Sequence, residues 1–261
     1  PRAVQPPRLP DVHFWAGGLP PRGAEAAITG SFREAVSDVT TSLGGAPGDI
    51  YYPAWFLGDW SAVSELSSVE MPQGEELAGA DALRARSLVG TEAARVAYPL
   101  RFVTYRDKVI MDRAYSVRSW LQDAGGIDSV QGVEAAEWSP TNANVLSVMV
   151  TRGSKTSVKR EFYVRARSVG APEGREDLFN ASEQYQEVAI DARTGAPSRV
   201  SPRRRVTKFK RVPGQIQLLQ RMEVYPQLQT PDGATSFGGG DSNKPIATYK
   251  YRVLLTAAGG A

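Results

Sequence analysis

Cysteine is absent and histidine occurs once, as His13. Without cysteine there is no disulfide, no thiol nucleophile and no thiolate metal site. A Ser-His-Asp or Cys-His centre needs a histidine beside its nucleophile, and His13 sits in a proline-rich stretch near the start of the sequence. No HExxH, CxxC or histidine pair is present for zinc, and no Asp-x-Asp-x-Asp-Gly loop for calcium. No GxxxxGK[ST] occurs, and no GxGxxG follows a strand, so no phosphate-cradling loop is evident. Paired carboxylates can meet in any fold, which leaves glycosidase-type chemistry as the one class the residue types keep open. No apolar run approaches the roughly 20 residues a membrane helix needs. Nor is there charge of one sign: 31 basic residues face 28 acidic ones, a net of +3. A nucleic-acid binder of this size would carry a larger, clustered excess. The residue types therefore point to binding rather than catalysis, with no cofactor, no metal and no nucleic-acid partner.

What is present is a proline-rich beginning and a long alternating remainder. Residues 1–30 hold Pro1, Pro6, Pro7, Pro10, Pro20 and Pro21. Proline removes ladder donors, so this stretch reads as an extended arm rather than a central strand. It carries unusual apolar mass for a solvated tail in His13, Phe14 and Trp15, expected to pack on the chain's own barrel or to dock on a partner. Residues 31–43 read as a short helix, with Phe32, Val36, Val39 and Leu43 on one face and a Ser31/Glu34 capping box. The arm and helix are taken as 1–50 and the main domain as 51–261. The sequence opens on Pro1 rather than Met, as expected of a processed or trimmed product.

Beyond position 51 the period is two. Strands are expected at 59–69, 100–106, 133–138, 144–152, 156–168, 180–192, 203–212, 215–227 and 246–256, with a short helix at 113–123. Residues 70–97 read as an excursion with little regular pairing. In 156–168, Val158, Phe162, Val164 and Ala166 alternate against Lys159, Glu161, Tyr163, Arg165 and Arg167. Pro213-Gly214 is a hairpin signal. About nine sequential strands with short turns specify a mainly β, antiparallel up-and-down barrel or strongly curled sheet of 8–10 strands, with a few short helices.

The basic run Arg203, Arg204, Arg205, Lys208, Lys210 and Arg211 is the candidate docking strip for an acidic partner. On a strand, Arg203, Arg205, Thr207, Phe209 and Arg211 share one face, and Arg204, Val206, Lys208 and Lys210 the other. Cations on both faces suit an edge strand. A small-molecule pocket, if the barrel holds one, is expected among inward residues such as Tyr105, Trp120, Phe162 and Tyr251.

Gly58-Asp59-Trp60 opens the first strand. This G-x-W resembles that of lipocalins and other calycin barrels, and the resemblance implies that Trp60 plugs the closed end while Gly58 lets the chain turn into the strand. A wider likeness, from about Tyr51 to Thr256, rests on residues 52–60 (YPAWFLGDW), 110–115 (IMDRAY) and 133–138, and on Ala181-Ser182-Glu183. Here the chain resembles an uncharacterised domain family of plants, algae and cyanobacteria, whose eukaryotic members resemble thylakoid-lumen proteins. The resemblance implies a calycin-like barrel in the chloroplast thylakoid lumen, peripheral to the membrane rather than spanning it. It implies a non-catalytic assembly or repair factor that binds lumenal core subunits of photosystem II. The alternative is a lipocalin-like carrier of a pigment, lipid or quinone.

Overall fold

Alternating apolar and polar residues form one antiparallel sheet. In this computed structural model residues 48–123, 132–152, 156–195, 197–226, 241 and 243–259 are described, all within the unit Pro47–Ala261. The helix expected at 31–43 lies outside the described residues. The strands are β1 (Gly58–Glu70), β2 (Arg95–Tyr105), β3 (Lys108–Met111), β4 (Gly132–Ser139), β5 (Asn142–Arg152), β6 (Thr156–Gly170), β7 (Leu178–Asp191), β8 (Pro197–Val212), β9 (Gln215–Val224) and β10 (Ala247–Ala257). Their order across the sheet is β3-β2-β1-β10-β9-β8-β7-β6-β5-β4. Among the described residues two α-helices accompany them, α1 (Glu75–Leu88) and α2 (Arg113–Asp123). Helix α2 packs on β2 near one end of the sheet and on β4 and β5 at the other. The sheet thus curls into a half-barrel whose two ends share a helix.

The mainly β, antiparallel reading holds, and α2 falls where the sequence places it. Three readings change. Residues 70–97 are not an unpaired excursion: they contain α1 and the start of β2. Helix α1 has a weak apolar stripe because it is two pieces broken at Gly79, whose φ of 77° and ψ of 177° are non-helical. That corner of backbone space is essentially closed to side-chain-bearing residues. Gly79→Ala is therefore expected to cost about 1–3 kcal/mol, read as a lowered Tm in a thermal melt.

Strand β3 escapes the sequence reading because its two-residue connection is Arg106-Asp107, not the glycine-bearing pair that marks a tight hairpin. Strand β8 is not an edge strand. It lies sixth of ten in the sheet, between β7 and β9. Its cations on both faces have a different reason: those facing inward meet buried acids.

The inner face of the half-barrel is layered. At one end Ile50, Tyr52, Phe56, Trp60, Phe102, Phe179 and Phe209 form an aromatic plug. The chain enters through this plug, and Tyr52 N–H donates to Val109 C=O at 2.8 Å. Phe56 is fully buried at its centre. Trp60 is buried there too, and its Nε1–H donates to the Phe56 carbonyl at 2.7 Å. Gly58, at φ 123°, turns the chain into β1 in a conformation that side chains resist. At the other end α1 covers β1, β10 and β9 through Ala78, Ala82 and Ala85. Opposite it, α2 covers β4–β6 through Val117, Trp120 and Leu121.

Candidate functional site

Directly beneath the aromatic plug lies a layer of buried charge. Glu183 on β7 is 5 % exposed and accepts from three arginines: Arg113 Nη2 at 2.9 Å, Arg167 Nε at 2.8 Å and Arg205 Nη2 at 2.8 Å. Asp49, on the arm side of the expected domain boundary, accepts from Arg113 Nη2 at 2.6 Å. Arg167 also donates to the carbonyls of Gly48 and Ala143, both at 2.8 Å. Burial pushes the Glu183 carboxyl up, but Arg113, Arg205 and Arg167 outweigh it and hold the group well below the usual carboxylate range. A buried charge is tolerated only when paired in this way. The layer therefore locks the entering chain and α2 to the sheet.

Arg167 reaches this layer through a bulge. The period-two reading puts it on the outer face with Arg165. The β6–β7 register shifts between Val164 and Ala166. One extra residue inverts the parity that follows, so Arg167 stands opposite Glu183.

Beyond the ion layer, on the side away from the plug, Tyr98 and Tyr185 face inward. Burial pushes the Tyr98 hydroxyl up to about 12, against the pull of its hydrogen bond to Ser64. Then the face opens. A cleft of about 120 Å³ lies between α1 and α2. Glu187 forms its floor, bridged by Arg160 Nε at 3.0 Å and Arg203 Nη2 at 2.7 Å. Trp120, Val150 and Val158 make one wall, and Met222, Tyr249 and Tyr251 the other. Arg199 and Asp81 pair across the rim at 3.6 Å. A carboxylate bridged by two guanidiniums makes a polar floor beneath the apolar walls, and its guanidinium N–H groups are of the kind that recognise a carbonyl, carboxylate or phosphate oxygen. Among the described residues no group of three or more histidines or carboxylates is placed to hold a metal ion.

The sequence-derived candidates divide accordingly. Arg203 reaches the cleft floor and Arg205 the ion layer. Arg211 is exposed beside the β8–β9 turn. Arg204, Lys208 and Lys210 are half-buried on the opposite face, where Arg204 lies 4.0 Å from Glu223. His13, Phe14 and Trp15 lie outside the described residues. Of the four expected pocket residues, Trp120 and Tyr251 line the cleft. Phe162 packs in the cluster beneath α2, and Tyr105 lies at the other end of the barrel.

Sequence reasoning missed Asp49, Arg113, Arg160, Glu183 and Glu187. A signal existed for three of them. Arg160 shares strand parity with Val158 and Phe162, and Glu183 and Glu187 with Phe179, Ala181 and Tyr185. A charge on an apolar face announces a buried partner.

Among the described residues no helix is long and apolar enough to cross a membrane. No curated protein and no solved structure matches the chain. A family model, described as a domain of unknown function (DUF6816), matches residues 44–259, and the chain belongs to that family.

Proposed function

We propose that this chain is a non-catalytic carrier that holds the polar head or one ring of a pigment, lipid or quinone in the cleft between α1 and α2. The observation that carries this reading is the composition of the cleft. Paired guanidiniums on the floor stand below aromatic and aliphatic walls, the mixture that fixes an amphipathic molecule. At about 120 Å³ the space takes one ring or head group, and the rest of the molecule would run out between the helices. The calycin-like ancestry suggested by Gly58 and Trp60 agrees with this use of a barrel interior.

The test is titration with a fatty acid, a short-chain quinone and a chlorophyll-derived pigment while tryptophan fluorescence is followed. One class should bind saturably and quench Trp120, with the signal lost in Trp120→Phe. Arg203→Gln should weaken binding about tenfold, the effect of losing one hydrogen bond to a charged group. Absence of saturable binding by all three would end the proposal.

A second reading is docking to photosystem II in the thylakoid lumen during assembly or repair. It draws support from the outer face of the sheet, where Arg204, Lys208, Lys210 and Arg221 share one face with a single acid of β9, Glu223, 4.0 Å from Arg204 and 3.1 Å from Arg221. Burial and the Arg221 charge lower the Lys208 pKa, the mark of a crowded basic strip that an acidic partner would relieve. Co-purification of the tagged protein with photosystem cores checks it. Recovery of the protein only in the free lumenal fraction would count against it.

A further inference from the structure

At the plugged end of the barrel, away from the cleft, is a second hollow. Its volume is about 370 Å³, and among the described residues it is lined by Tyr51, Tyr105, Arg106, Lys108, Pro140 and Thr141. The β2–β3 turn supplies three of these and the β4–β5 turn two. The two turns come from opposite ends of the sheet, so the hollow exists because the sheet curls. Two cations and two phenol rings line it; no described lining residue carries a carboxylate, and the nearest acid is Asp107 of the same turn, 3.9 Å from Lys108 Nζ. The Arg106 guanidinium lies 5.3 Å from the Tyr105 ring centre, and Tyr51 is 51 % exposed although it is a large aromatic.

The turn that presents Arg106 is strained. Arg106 has φ 45° and Asp107 φ 60°. A two-residue hairpin of this hand favours Asn-Gly, because side chains other than Asn or Asp fit the left-handed region badly. Here the first position is an arginine. Backbone strain retained where a side chain meets an open hollow marks that side chain as useful beyond the fold.

We infer that this hollow is a docking surface for an acidic segment of a protein partner. Two cations outnumber the one acid of the turn, Asp107, which lies 3.9 Å from Lys108 Nζ, and this positive excess sets the sign of the partner's charge. The shallowness sets its size. A small ligand wants most of its surface buried, which a basin walled by half-exposed Tyr51 does not provide, whereas a protein laid across it does. Tyrosine and arginine are also the residues that dominate protein–protein binding energy.

The decisive variant is Arg106→Asn with Asp107→Gly. It removes one cation and one anion, leaving net charge unchanged, and installs the favoured turn. The probe is a fluorescein-labelled Glu-Pro-Glu-Tyr-Glu-Glu peptide followed by anisotropy, with its glutamine-substituted counterpart as control. The wild-type chain should bind the acidic peptide, more weakly as salt rises, and bind the control poorly. The double variant should bind about tenfold more weakly while its Tm rises by a few degrees. Lys108→Gln, a change on an exposed side chain, should weaken binding with Tm unmoved. Equal binding by variant and wild type, or by peptide and control, would overturn the inference. So would a Tm that falls in the double variant, or full competition by phenyl phosphate, which would make the hollow a small-anion site.

Discussion

Replacing Glu183 by glutamine is expected to lower Tm by about 6–20 °C. Three guanidiniums converge on this one carboxylate inside the barrel, and Asp49 alone cannot balance them. Removing one partner from a buried ion network typically costs about 3–5 kcal/mol, because the remaining charges stay buried without compensation. In a domain of this size each kcal/mol moves Tm by about 2–4 °C. Glu75→Gln, at a solvent-exposed pair with Arg86, should leave Tm where it was. The sign of the pH effect follows from the direction of the shift. The folded carboxyl titrates below its unfolded value, so its contribution is complete above about pH 5 and is withdrawn as pH falls below about 4. Acid melts of the wild-type chain should steepen in that range, and those of Glu183→Gln should be flatter. Equal Tm values for the two proteins at pH 7 would show that the ion layer does not hold the fold.

Phe56→Ala is the second large effect, about 3–5 kcal/mol. The ring has no exposed surface. Its centroid lies 4.9 Å from that of Tyr52, 5.0 Å from Phe102 and 5.1 Å from Phe209, with Trp55 stacked on it at 4.1 Å. These rings come from the entry segment, β2 and β8, so a cavity here loosens elements far apart in the chain. The interior cannot collapse readily around it, because the ion layer fixes the next shell. Phe56→Leu should cost much less, since most of the volume remains. Chemical denaturation of the three proteins checks the ranking, and near-equal midpoints for Phe56→Ala and wild type would contradict it.

The strands were legible because period-two alternation survives in almost all of them, and α2 because its spacing is helical. What stayed hidden had local causes. The turn at Arg106-Asp107 lacks glycine, so β3 carried no marker. The break at Gly79 erased the apolar stripe of α1. The bulge before Arg167 inverted its facing, and no residue type in 164–166 announces a bulge. Parity separated the six residues of the basic run into their two faces, but cations on both faces read as an edge strand, because the acids that meet the inward set, Glu183 and Glu187, stand on the neighbouring strand. Glu183 and Glu187 were readable on the apolar parity of β7, although the arginines that meet them come from α2, β6 and β8.

The hydrogen bond from Ala258 N–H to the Asp59 carbonyl, 2.9 Å long, has a topological consequence. Among the described strands, β1 and β10 are the one paired couple far apart in the chain; every other pair is consecutive. Glu65 and Arg252 meet across that seam from 187 positions apart. Seven strands, β4 to β10, can therefore zip by successive hairpins at little loop-closure cost, whereas seating β1–β3 needs one long-range closure. A circular permutant joined by a linker from 258 to 48, which keeps the entering segment, and opened between β3 and β4 would pair each strand with its neighbour in sequence, and would move the chain ends to the helix that now spans the gap.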